Sequence, residues 1–89
     1  MRETEITVSN QLGLHARASA KLVQLVQNFD ATVWLVHSGR EVNAKSIMGV
    51  MMLAAGVGAT LTVRAEGPQE DPAVEAVVDL FERKFDEGA

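Results

Sequence analysis

The sequence predicts an α/β chain built as a two-layer sandwich, with elements in the order β-α-β-β-α-β-α and helices covering one face of a single sheet. Apolar and polar residues alternate at "TEITVSN" and "TLTVRA", and "ATVWLV" is β-branched and aromatic. Between and after them lie stretches whose apolar residues are three and four apart. The chain has 89 residues, which suits one domain, residues 1–89, with one modest core.

In the first strand Ile6 and Val8 share a face, with Glu5 and Thr7 opposite. Asn10 and Gln11 break the alternation, and Gly13 permits a turn or a close backbone approach. From Ala16 the period changes. Ala18, Leu22, Leu25 and Phe29, supported by Val26, mark an amphipathic helix of about three turns, with Lys21, Gln24, Gln27 and Asn28 on its wetter sides. "ATVWLV" is β-branched and aromatic, hence strand. Ser38 and Gly39 then make a hairpin connection, and Val42 anchors the returning strand. "KSIMGVMMLAAGVGA" suits a short helix capped by Ser46 and ended by Gly56 and Gly58. Ile47, Met48, Met51 and Met52 recur at helical offsets. Core positions are assigned to Val50 and Met52. In "TLTVRA", Leu61, Val63 and Ala65 face inward, while Thr62 and Arg64 join Thr7 on the solvent-tolerant face. For the last helix, Asp71 is the expected cap and Pro72 the first helical residue. Val74, Val78, Phe81 and Phe85 form its apolar stripe, opposite Glu75, Asp79, Glu82 and Arg83.

Composition narrows the function classes. Without cysteine the chain has neither disulfide nor thiolate metal site. Twelve acidic residues face eight scattered Lys and Arg, for a formal charge of −4. That pattern lacks the basic stripe nucleic-acid binding needs to neutralise phosphates. No apolar run reaches membrane-spanning length, so no membrane insertion is expected. "MRETEITVSN" lacks the basic region and apolar run of a signal peptide, so the expected location is the cytoplasm.

The chemistry concentrates in "LGLHARASA", where His15 lies just before the first helix. The opening N–H groups of a helix have no intrahelical partner and attract an anion, helped by the helix dipole. The same field disfavours an imidazolium and leaves a neutral, nucleophilic ring. Arg17 offers a planar fork of donors to phosphoryl oxygens, and Gly13 lets the loop approach closely. These residues suit a histidine that carries a phosphoryl group. A carrier gains nothing from a general base that activates water, and none is evident nearby in sequence. On local physics alone, an ordinary surface histidine beside an arginine fits as well. Metal binding has less support, because only His15 and His37 are available and no carboxylate lies near His15 in sequence.

"LGLHARASA" closely resembles the active-site segment of the histidine-containing phosphocarrier (HPr) family of the bacterial phosphotransferase system. "KSIMGVMMLAAGVGATLTV" resembles its second signature, around a regulatory serine, and the interval from His15 to Ser46 fits as well. The resemblance implies an open-faced two-layer sandwich with a four-stranded antiparallel sheet covered on one face by three helices. It implies a stoichiometric carrier rather than an enzyme, with no cofactor. His15 would accept phosphate on Nδ1 from enzyme I and pass it to a histidine of a IIA protein or domain. Arg17 and the backbone N–H groups of Ala16 and Arg17 would hold the phosphate. Ser46 would be the target of a serine kinase/phosphorylase. Ala20 and Gln24 on the first helix, with Ile47, Met48 and Met51 on the second, match the family's partner-binding surface, and methionine suits it because it adapts to different partners. A monomer is expected.

Departures bear on the branch. Sugar-transport members commonly have proline after the arginine, where this chain has Ala18, and often lysines where Gln24 and Gln27 stand. The alternative is a nitrogen-related regulatory carrier that acts by phosphorylation-dependent protein binding. A binding module with no phosphoryl role is the third class. Trp34 and His37 receive no functional role. Lys45 either assists electrostatically near Ser46 or is simply solvated.

Overall fold

In the computed structural model, β1 (Arg2–Thr7), β2 (Thr32–His37), β3 (Arg40–Asn43) and β4 (Thr60–Glu66) form one sheet, in spatial order β1-β4-β2-β3. Every neighbouring pair is antiparallel. The structure describes residues 1–87, so Gly88 and Ala89 of the expected domain lie outside the described residues. The helices α1 (Ala16–Val26), α2 (Ile47–Met52) and α3 (Glu70–Glu82) follow in the expected order. The result is the anticipated open-faced sandwich. A 3₁₀ turn, Lys84–Asp86, ends the ordered elements and was not anticipated.

The alternation of the strands decides which face is covered. Ile6, Val33, Leu35, Leu61, Val63 and Ala65 point inward and are buried under the helices. Each such Val or Leu contributes about 1.5–3 kcal/mol of burial. On the other face Arg64 stands opposite Glu3 on β1 and Trp34 on β2. It holds Glu3 at 2.8 Å and Glu41 at 2.6 Å. Trp34 is half-buried against this open face. In the hairpin, Ser38 (φ 50°) and Gly39 (φ 80°) both take the left-handed backbone that a two-residue turn requires.

Three local readings need correction. First, α2 stops before the glycines. Leu53 is its C-cap and Ala54 takes the left-handed position at φ 52°. The Arg40 guanidinium donates to the carbonyl of Met52 at 2.9 Å, which satisfies the helix end early. Gly58 instead turns the chain into β4, where its N–H bonds the Val8 carbonyl at 2.8 Å. Second, Met52 is not a core residue but is 59 % exposed. Val50 and Leu53 take the inward positions, and a residue two places from Val50 is rotated about 200° around the helix.

Third, α3 starts earlier than Asp71. Gln69 is its N-cap, tied to the loop before β2 by bonds to Asp30 at 2.7 and 3.0 Å. Pro72 is therefore the third helical residue, tolerated because the first turn's N–H groups lack helical partners. Its buried stripe is Ala73, Val74, Val77, Leu80 and Phe81, with Val78 only half-buried. Phe85 is buried but lies beyond the helix, packed edge-on against Phe81 at 4.8 Å. Phe29 similarly falls past the end of α1 and is half-buried.

Ala54 pays the left-handed penalty of a Cβ, about 1–2 kcal/mol. Ala54→Gly is expected to stabilise the fold by about 1 kcal/mol. A higher urea midpoint with an unchanged slope is the measurement that checks it.

Candidate functional site

The loop from β1 to α1 is fixed from beneath. Asn10 is fully buried, and its amide donates to the carbonyl of Gly13 at 2.9 Å. The Leu14 N–H bonds the Ala55 carbonyl at 3.0 Å, docking this loop onto the one that follows α2. Gly13 has φ 66°, and a Cβ there would stand 2.6 Å from the Ala55 oxygen and 2.9 Å from the Gly56 Cα. Only glycine fits both the conformation and the contact.

His15 is the N-cap of α1, in extended backbone conformation. Its Nδ1 accepts the backbone N–H of Arg17 at 3.2 Å, so the ring does what a cap side chain usually does. Its Nε2 lies 2.5 Å from Oε2 of Glu87. An acceptor at Nδ1 and a carboxylate at Nε2 together define the neutral tautomer with its proton on Nε2. Ala16 and Arg17 are exposed. The Arg17 guanidinium makes no ion pair among the described residues, so its donors face the open site.

Glu87 reaches the histidine through an unusual backbone. Lys84, Phe85 and Asp86 are consecutive non-glycine residues with φ 55°, 55° and 61°. Such positions cost roughly 1–2 kcal/mol each and persist only when held. Three contacts hold them. The Phe85 ring is buried, Lys21 donates to the Phe85 carbonyl at 2.6 Å, and Arg83 grips the Asp86 carboxylate at 2.8 and 2.9 Å. Lys21, expected on the wet side of α1, is thereby half-buried. The second Glu87 oxygen accepts from Asn10 at 3.1 Å. Desolvation pushes the Glu87 carboxyl upward, but the hydrogen bonds from Asn10 and His15, with the charge of Lys21, outweigh it and hold it below the ordinary glutamate value.

These groups line an open depression of about 730 Å³, bounded by Gln11, Leu12, Ala16, Arg17 and Asp86 beside His15 and Glu87. Its neighbour is α2, which packs on α1. Ser46 caps α2, its Oγ accepting the Gly49 N–H at 3.0 Å. Ile47, Met48 and Met51 are 42, 70 and 39 % exposed, an apolar face left without cover. On α1, Gln24 is exposed and Ala20 half-buried. His37, at the end of β2, lies 3.3 Å from the Thr60 carbonyl and does not line the depression. No cluster of three His, Asp or Glu that would hold a metal occurs among the described residues.

The structure sets the Arg17 backbone N–H against the His15 ring and adds two residues that sequence reading missed, Asn10 and Glu87. Asn10, three residues before Gly13, carried a turn signal. Glu87 carried none, since it is 72 residues from His15. No carboxylate lies near His15 in sequence, and tertiary folding supplies one.

Residues 2–83 match the family model described as the phosphotransferase-system HPr component phosphorylation site. The chain is 53 % identical to the phosphocarrier protein HPr of Cupriavidus necator, over 99 % of both chains. It is 40 % identical to the phosphocarrier protein NPr of Shewanella violacea, over 98 % of this chain and 96 % of that one. Among solved structures, HPr from Thermoanaerobacter tengcongensis superposes with a TM-score of 0.94 at 44 % identity, over 98 % of each chain.

The lowered Glu87 carboxyl has a stability consequence. A carboxyl depressed by folding stabilises the fold above its ordinary value, and the contribution is lost as the pH falls through the lowered one. Glu87→Gln should therefore unfold at a lower temperature than wild type at neutral pH. The gap should close on acidification through the carboxylate range, read by thermal melts across pH.

Proposed function

Because the chain belongs to the HPr family, and so shuttles phosphoryl groups between enzyme I and IIA proteins through an active-site histidine, we propose that His15 is that histidine and Nδ1 its accepting atom. The observation that carries this reading is the direction of Nδ1, which faces the first free amides of α1. A phosphoryl group on Nδ1 takes the place of the ring at those amides, so the N–H groups of Ala16 and Arg17 become its ligands. Arg17 closes over it as a planar donor fork. Transfer then needs only alignment and charge stabilisation. The protein is a stoichiometric carrier, not an enzyme.

The partner surface in this proposal is the exposed part of α2, Ile47, Met48 and Met51, together with Ala20 and Gln24 on α1. It flanks the depression, and flexible methionines let it receive two partners in turn. A carrier must also release them, which favours a small contact of modest affinity. Ser46, exposed at the start of α2, is proposed as the regulatory site of a serine kinase/phosphorylase. Phosphate there leaves the helix capped but places negative charge on the docking face. We assign the chain to the HPr rather than the nitrogen-related branch, on 53 % identity to the one relative against 40 % to the other. No helix among the described residues is long and apolar enough to cross a membrane. The proposal completes itself with a single domain over residues 1–89, acting as a monomer in the cytoplasm.

Incubated with enzyme I and phosphoenolpyruvate, the wild type should gain one acid-labile phosphoryl group and His15→Ala none. Arg17→Ala should fold normally and accept roughly tenfold or more slowly, the loss of a charge-assisted donor pair. Labelled phosphate and intact mass decide both.

Met48→Glu places an unpaired carboxylate in an apolar contact, and Ser46→Asp adds charge beside it. Both should weaken binding to enzyme I in NMR titrations without altering the fold. Shifted resonances confined to α3 would move the docking surface elsewhere.

A further inference from the structure

We propose that Glu87 is a positioning residue for phosphoryl transfer: delivered by the left-handed turn at 84–86, its carboxylate fixes the proton of His15 on Nε2 and faces the positive charge the ring acquires when Nδ1 is phosphorylated. The inference rests on the reading of His15 as the acceptor.

Four observations carry it. The Nε2 to Oε2 distance is 2.5 Å, short enough for a strong charge-assisted bond. The opposite ring nitrogen accepts the Arg17 N–H, so both ends of the imidazole select one tautomer. The carboxylate is itself held, by Asn10 from within the core. Asn10 also braces the Gly13 carbonyl, so one buried side chain sets both the histidine loop and the carboxylate. Finally, the segment that brings Glu87 here keeps three strained residues in place, and a strained conformation that persists is a pointer to function.

The chemistry balances without any further reactant. The Nδ1 lone pair attacks phosphorus, the Nδ1–P bond forms, and the bond from phosphorus to the donor breaks, its electron pair leaving with the donor. The Nε2 proton stays where it is. The ring therefore gains one positive charge, spread over both nitrogens, against a carboxylate already in contact. In delivery to the next acceptor the events reverse, and the ring departs as a neutral imidazole with its Nε2 proton still bonded to Glu87. A ring with the opposite tautomer has no lone pair on Nδ1 and is inert. Holding the Nε2–H form removes that unproductive population before the partner arrives, an orienting role of the kind carboxylates play toward catalytic histidines.

The test compares wild type, Glu87→Ala, Glu87→Gln and His15→Ala. Nitrogen-15 NMR of the His15 ring in the unphosphorylated protein reads the tautomer, independently of any transfer. Single-turnover labelling by phosphorylated enzyme I reads acceptance, and thermal melts confirm folding. Glu87→Ala should show a mixed tautomer population and accept about tenfold more slowly, the effect of one charge-assisted hydrogen bond. Glu87→Gln keeps an acceptor oxygen but not the charge. It should recover the Nε2–H tautomer and an intermediate rate. A wild-type tautomer or a wild-type rate in the folded Glu87→Ala protein overturns the proposal while leaving His15 as acceptor. Labelling retained by His15→Ala overturns the acceptor reading, and the role of Glu87 falls with it.

Discussion

The one-sided burial of the sheet is the constraint on which the rest of the molecule depends. β4 lies between β1 and β2 and turns Leu61, Val63 and Ala65 inward. A slip of one residue in either pairing would turn that set to solvent and bury Thr62 and Arg64 instead. The register is therefore fixed by burial, and with it the ends of the strands. The loops that leave those ends carry the histidine and the α2 cap. Their geometry inherits its rigidity from the packing below.

That inheritance passes through few contacts. Leu14 hangs on the Ala55 carbonyl, and Gly13 lies too close to Ala55 and Gly56 for any side chain. The start of α1 and the segment after α2 are thus joined directly. A carrier benefits from this coupling, because the partner docks on one helix while the phosphoryl group sits at the start of another. The depression around His15 is open and is lined by charged and polar side chains, among them Arg17, Lys21 and Glu87. Openness suits a group that must be handed over twice, whereas a closed cavity would trap it.

The tail adds the second constraint. Phe85 occupies the core at the edge of Phe81, and this burial offsets the left-handed turn around it. Arg83 and Lys21 tie the same segment at its surface. The strain is local and its effect remote, since it sets where a carboxylate stands relative to a ring at the other end of the chain. The site has no basic cluster: among the described residues the Arg17 guanidinium makes no ion pair, while Arg2, Arg64 and Arg83 are committed to acidic partners.

Local signals by themselves determined much of this protein. Period-two and period-3.6 patterns marked four strands and three helices in the observed order, because burial on one face must repeat with the backbone. Short-range chemistry placed His15 and Ser46 as helix caps and Ser38 and Gly39 in the hairpin, since caps and turns are satisfied within a few residues. Element ends were less legible. Whether Ala54 or a glycine stops α2 depends on Arg40 reaching across from β3, and whether α3 starts at Glu70 or Pro72 depends on contacts between Gln69 and Asp30. Met52 lost its expected place in the core because only one edge of a six-residue helix meets the sheet. Asn10 carried a local turn signal, but its bond to Glu87, and the place of Glu87 itself, were decided by tertiary structure. Nothing local links a carboxylate to a histidine 72 residues away; the link exists because the core buries Phe85 while Lys21, Arg83 and Asn10 hold the residues around and after it.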